Sequence, residues 1–107
     1  MHRELGPGFQ GIVYQRALAI ELPARGLQSD REVWIDVVYK GEHVGRKRVD
    51  FVIGDDSGAV LVEIKAKGAL EDVDVLQALS CLKAPGHRVG LLLNFGGKKL
   101  QIKRLAD

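Results

Sequence analysis

The feature that most constrains this chain is the run Ala59-Val60-Leu61-Val62-Glu63-Ile64-Lys65, which follows the stretch Gly54-Asp55-Asp56-Ser57-Gly58. A nearly continuous apolar run of strand length marks a central strand covered on both faces. Glycine, aspartate and serine supply the turn before it. On the far side of that turn, Val49-Asp50-Phe51-Val52-Ile53 ends a second strand, expected over residues 44–53. A turn centred between Asp56 and Ser57 sets Asp50 opposite Glu63, with Cβ atoms about 4.5–5.5 Å apart. Lys65, two residues on, falls on the same face as Glu63.

Two carboxylates in an otherwise apolar hairpin repel each other, and burial worsens the cost unless a cation compensates. Carboxylate oxygens are hard ligands suited to Mg²⁺ or Mn²⁺. Such an ion polarises a phosphodiester and stabilises the charge that develops on it. Lys65 would then orient or help deprotonate the attacking water, or contact the phosphate. A structural alternative is open on the same residues: Lys65 pairs with Glu63 or Asp50 at a strand end, with no metal.

The remaining elements follow from periodicity. Gly6-Pro7-Gly8 leads into a helix expected over residues 9–25, with Ile12, Val13, Ala17, Ile20 and Leu22 as its apolar positions, bent or ended near Pro23. Residues 32–39 alternate as a strand, and Lys40-Gly41-Glu42 is a turn. A second helix is expected over residues 70–84, with the stripe Leu70, Val73, Leu76, Leu79 and Leu82, stopped by Pro85-Gly86. Strands over residues 88–94 and 100–104 complete an α-β-β-β-α-β-β order. That order implies an α/β (α+β) architecture, a mixed sheet with a helix on each face.

With 107 residues there is room for one domain, residues 1–107, and one core. Cys81 is the lone cysteine, which excludes an internal disulfide and a thiolate metal site and suits a reducing compartment. The first residues lack the apolar stretch of a signal peptide, and no run approaches the ~20 residues that span a bilayer. A cytoplasmic location and no membrane partner are therefore expected. Net charge is +2, which by itself names no partner. Its distribution is more informative: Lys40, Arg46, Lys47 and Arg48 cluster in one segment, and Lys98, Lys99, Lys103 and Arg104 in another. Such clusters neutralise phosphates or simply form a solvated face. Trp34 either packs on an edge strand or stacks on a base. His2, at a floppy terminus, His43 and His87 have no partner at ligand spacing.

Further motifs run through the chain: Leu5-Gly6-Pro7-Gly8, Tyr14, Ala17-Leu18-Ala19-Ile20-Glu21-Leu22, Arg25-Gly26-Leu27, Val38-Tyr39-Lys40-Gly41, Val49-Asp50-Phe51-Val52, Val62-Glu63-Ile64-Lys65-Ala66, Gln77, Leu82-Lys83, Asn94-Phe95-Gly96 and Ile102-Lys103-Arg104. Over roughly residues 3–104 the chain resembles the GxxExxY family, small proteins related to the PD-(D/E)XK nucleases. The resemblance implies a restriction-endonuclease-like αβββαβ core in which Asp50 and Glu63 hold Mg²⁺ or Mn²⁺. It places Lys65 at the catalytic lysine and Gln77 at a helix glutamine that positions a nucleotide or water. It also implies metal-dependent hydrolysis of DNA, or of RNA. Two departures stand out: Gly11 occupies the place of the naming glutamate, and Cys81 stands where the family usually has tyrosine. They favour the alternative of a weakened or inactive member acting as a nucleic-acid-binding or assembly module. Exposed sheet edges also allow a homodimer.

Overall fold

The computed structural model describes residues 1–55, 58–83 and 89–106. The elements are helices α1 (His2–Leu5) and α2 (Gly11–Ala24), strands β1 (Ser29–Tyr39), β2 (Glu42–Asp55) and β3 (Gly58–Lys65), helix α3 (Asp72–Ser80), and strands β4 (Val89–Asn94) and β5 (Gln101–Ala106). A 3-10 turn, Cys81–Lys83, extends α3. The strands form one sheet in the order β1-β2-β3-β4-β5. Among the described residues, only β3 and β4 run parallel, joined across α3, and the other neighbours are antiparallel. This mixed, helix-flanked sheet is the expected α+β architecture, with the restriction-endonuclease-like order of elements.

Local chemistry explains the joints. Tyr39 pairs with Glu42, so β1 and β2 meet in a two-residue turn. Both central residues have positive φ, 50° at Lys40 and 79° at Gly41, the geometry that suits the twist of a hairpin. Helix α3 opens with a capping box, in which the Glu71 side chain accepts the Asp74 N–H and the Asp74 carboxylate accepts the Glu71 N–H. Helix α2 ends with Pro23 in its last turn, and the N–H of Arg25 returns to Glu21 and Leu22. The proline therefore falls where the helix is closing. The centre of the turn before β3, Asp56-Ser57, and the Pro85-Gly86 stop lie outside the described residues.

The sheet carries a core on each face. Between sheet and α3 lie Ile35, Val49, Leu61, Ala78, Cys81, Leu82, Leu92 and Leu105. On the other face Leu22, Leu18 and Ala19 of α2 pack against Phe51, Val62 and their half-buried neighbours. Side chains of a regular strand alternate between faces, so Val49 and Phe51 would share one. They do not: Val49 belongs to the α3 core and Phe51 to the α2 core. Strand β2 changes sides at Asp50. Opposite this point on β1, Glu32 has a φ of 56°, between the pairs Arg31–Phe51 and Val33–Val49.

Three expectations need correction. The stripe assigned to the first long helix is only in part its buried face: Leu22 is buried and Val13 and Ala17 are half-buried, but Ile12 and Ile20 are exposed, and Tyr14 and Gln15, outside the stripe, are buried. Apolar residues occur around most of that helix, so the periodicity has little contrast. In α3 and its extension, Val73 and Leu76 of the expected stripe are exposed, whereas Leu82 is buried and Leu70 and Leu79 pack against the core; Asp74, Ala78 and Cys81, outside the stripe, are buried as well. The three-residue spacing had drifted off the helix repeat of 3.6. The amino terminus is also not floppy: it forms α1, and His2 Nε2 donates to the carbonyls of Phe95 (3.0 Å) and Gly97 (3.1 Å).

Candidate active site at the parting of β2 and β3

Strands β2 and β3 keep the expected register through Phe51–Val62, the last pair of the ladder. Asp50 and Glu63 are the next step, and there the strands part. The Asp50 carboxylate takes over the backbone's role: its Oδ2 accepts the Ile64 N–H at 2.7 Å. Its Oδ1 accepts Nε2 of Gln15, from α2, at 3.0 Å. Because β2 changes sides here, Asp50 is not a simple cross-strand neighbour of Glu63 on one face. It bridges the α2 side to the gap between the strands.

Glu63 points to the α3 side, where the Cys81 thiol lies 3.8 Å from its Oε1. It lines a cavity of about 300 Å³ with Lys47, Lys65, Asp74, Gln77 and Ala78. Burial, with the Asp50 charge adding to it, pushes the Glu63 carboxyl up from 4.5 to about 7. Lys47 and Lys65 pull the other way without cancelling this. Burial also raises the Cys81 thiol, helped by the Glu63 charge. The site thus brings two carboxylates and two lysines together in partly buried surroundings, where charges are screened less than at the surface.

Neighbouring side chains are occupied in holding the frame. Asp74 accepts from Lys67 (2.9 Å) and from the Glu71 N–H (2.9 Å), which together hold its carboxyl below the usual range. Lys47 Nζ donates to the Gln77 carbonyl (2.7 Å) and lies 3.2 Å from Ser80 Oγ, securing the last turn of α3. Asn94, fully buried at the end of β4, acts as a strand partner for the segment after Lys65. It accepts the Lys67 N–H (3.0 Å), donates to the Lys67 carbonyl (2.9 Å) and to Gln101 Oε1 (2.8 Å), and accepts the Gly96 N–H (3.1 Å). Gly96 must be glycine, because a Cβ there would lie 2.2 Å from the Lys67 nitrogen.

The structure therefore brings Glu63, Lys65 and Gln77 to one cavity, with Asp50 adjoining it. It divides the first basic cluster. Lys47 faces the cavity, whereas Arg46 and Arg48 lie on the opposite face with their guanidinium groups 4.9 and 5.9 Å from the exposed Trp34 ring. Lys40 sits at the hairpin tip over Tyr39. Lys98 and Lys99 line a separate cleft of about 570 Å³ with Met1, His2 and Arg3, which contains none of the expected site residues. Sequence reasoning missed Gln15, Asn94 and the inward role of Lys47. The alternation Arg46-Lys47-Arg48 carried the signal for the last of these.

Among the described residues, no three His, Cys, Asp or Glu side chains gather where they could share an ion. Asp50 and Glu63 are close enough for the Asp50 charge to raise the Glu63 carboxyl, and a divalent cation would relieve that repulsion, since carboxylate oxygens are hard ligands. Gln15 Oε1, on the α2 side of Asp50, is buried with no hydrogen-bond partner.

The family model of the PD-(D/E)XK nuclease superfamily matches residues 1–105. The chain belongs to that superfamily. No curated protein matches it. Its fold is similar to that of the crystal structure of SSO0001, with a TM-score of 0.70 at 18% identity. The similarity covers 91% of this chain and 50% of SSO0001, so the chain spans about half that protein's length. No helix is long and apolar enough to cross a membrane, among the described residues.

Proposed function

We propose that this chain is a metal-dependent nuclease that hydrolyses phosphodiester bonds in DNA or RNA, with Asp50 and Glu63 as ligands of Mg²⁺ or Mn²⁺. The observation that carries this reading is Glu63 itself. Its carboxyl, buried beside Asp50 in a cavity shared with Lys65, is held at about 7, and a cation removes that penalty. The bound ion would supply Lewis-acid polarisation of the phosphate and a more acidic water. Lys65 holds the attacking water or a phosphate oxygen, and Gln77 at the cavity wall orients one of them by hydrogen bonding. Lys47 brings a second positive charge to the same cavity. Within the superfamily, the motifs around Asp50, Glu63 and Gln77 are those of the GxxExxY group.

A second reading, a nucleic-acid-binding module without cleavage, is favoured because, among the described residues, no three His, Cys, Asp or Glu side chains gather to hold an ion, and the Asp74 carboxylate at the cavity is bound to Lys67. Incubation of single- and double-stranded DNA and RNA with Mn²⁺ or Mg²⁺ separates the two. Cleavage that disappears in Glu63→Gln and Lys65→Met, with binding retained, supports the nuclease. Salt-sensitive binding with no cleavage by the wild type supports the module. Cleavage unchanged in both variants would overturn the assignment of the site.

A further inference from the structure

Arg3, Lys98 and Lys99 gather around the cleft of about 570 Å³ that Met1, His2 and Leu100 complete. No acidic residue lines this cleft, and among the described residues none of the three cations is salt-bridged. Arg25, Arg48 and Lys67, by contrast, each face a carboxylate. Uncompensated cations lining a concave wall attract anions. The turn that carries the two lysines is also fixed in place. His2 Nε2 donates to the carbonyls of Phe95 and Gly97 on one side, and Gly96 packs on the Lys67 backbone on the other. Charges presented on a fixed turn lose less freedom when they bind.

The cleft lies at the same end of the sheet as the candidate site. Lys65 pairs with Asn94 and Asn94 with Gln101, so the connection bearing Lys98 and Lys99 starts just past the row that contains Lys65. Lys67-Gly68 and Gly96-Gly97, packed backbone to backbone, link cavity to cleft. Three of those four residues have no side chain, and a Cβ at Gly68 would meet nothing within 4 Å. The link is therefore a low saddle, open above Gly68.

We propose that a nucleic-acid strand held at the Glu63–Lys65 cavity crosses the Gly68–Gly96–Gly97 saddle into this cleft, where Arg3, Lys98 and Lys99 bind its phosphates. This rests on the proposed nuclease reading and adds to it the path of the substrate. The Arg3 guanidinium suits a phosphate as a two-pronged donor, and the lysines suit it as point charges.

Filter binding of labelled single-stranded and duplex DNA and RNA over a salt series tests the path, with EDTA to prevent cleavage and thermal melts to check folding. Lys98→Gln/Lys99→Gln should lower the slope of log affinity against log salt by about two phosphate contacts, and Arg3→Gln by about one, with unchanged melts. Gly68→Glu, which sets a carboxylate on the saddle, should weaken binding about tenfold. Slopes unchanged in both cation variants, while Lys47→Gln lowers the slope, overturn the inference and spare the proposed function. Lowered slopes with Gly68→Glu binding as the wild type does put the cleft off the path and overturn it too. A wild type that binds no nucleic acid overturns both readings.

Discussion

The side chain of Asp50 and the backbone of Ile64 form the hydrogen bond that ends the β2–β3 ladder, Oδ2 accepting the Ile64 N–H at 2.7 Å. The strands separate without orphaning that donor, and the carboxylate is fixed at the mouth of the gap. A site at a strand parting therefore has a backbone anchor as well as side-chain neighbours.

The elevated Glu63 carboxyl makes stability depend on pH. With a folded value of about 7 against 4.5 for the free group, the folded state holds the proton more tightly. Stability is thus fully present below about 4.5 and falls as pH rises towards 7. After allowance for screening, the loss is about 2 kcal/mol. Thermal melts in the absence of divalent ions should show a lower midpoint at pH 8 than at pH 5. Glu63→Gln should flatten this dependence and raise the midpoint at pH 8. Equal pH profiles in both proteins would contradict the assignment.

Cation binding should run the opposite way, because the ion competes with the proton on Glu63. Below about 7 the Mn²⁺ affinity is expected to rise roughly tenfold per pH unit, levelling off above it. Calorimetry across pH 5.5–8.5, in steps of about half a unit, measures the slope. A flat profile removes Glu63 from the ligand set.

Asn94 makes four hydrogen bonds to Lys67, Gln101 and Gly96 while fully buried. Asn94→Ala strands the Lys67 amide groups and should cost about 3 kcal/mol in chemical denaturation. Gly96→Ala should cost at least as much, since its Cβ collides with Lys67 backbone atoms. Both act on the segment following Lys65, so Mn²⁺ affinity should weaken alongside stability. A loss under 1 kcal/mol in both variants would show that this clamp is dispensable.

The split basic cluster predicts different consequences for adjacent residues. Lys47→Gln removes the donor to Gln77 and should destabilise by about 1 kcal/mol. It should also lower the slope of nucleic-acid affinity against salt by about one phosphate contact. The double variant Arg46→Gln/Arg48→Gln, on the opposite face around Trp34, should change stability by under about 0.5 kcal/mol and leave that slope unchanged. Filter binding across a salt series distinguishes them, and a larger slope change for the arginine pair would place the nucleic acid on the Trp34 face.

Much of this fold was legible because its strands are strongly patterned. The run ending at Glu63 and Lys65 announces a central strand, and the turn before it sets the register that Phe51–Val62 obeys. The helices were harder. Helix α2 is apolar around most of its circumference, so nothing in its periodicity reveals that Gln15 faces inward. The change of face at Asp50 was also hidden, because it depends on backbone irregularity shared with Glu32 on a neighbouring strand. Asn94 looked like an ordinary strand end, since its work is done by pairing with a segment 27 positions earlier. Contacts made across the fold leave no local trace in the composition.

The crossing of β2 from one core to the other gives Asp50 an uncommon dependence. Val49, immediately before it, is seated by packing beneath α3, and Phe51, immediately after it, by packing beneath α2. The carboxylate is thus located by two independent references, much as a surveyed point is fixed by sightings from two hills. Exposed substitutions leave both sightings intact. Enlarging or emptying either core shifts one of them, so thermostabilising designs confined to one side of the sheet would misplace Asp50 even as they strengthen the protein.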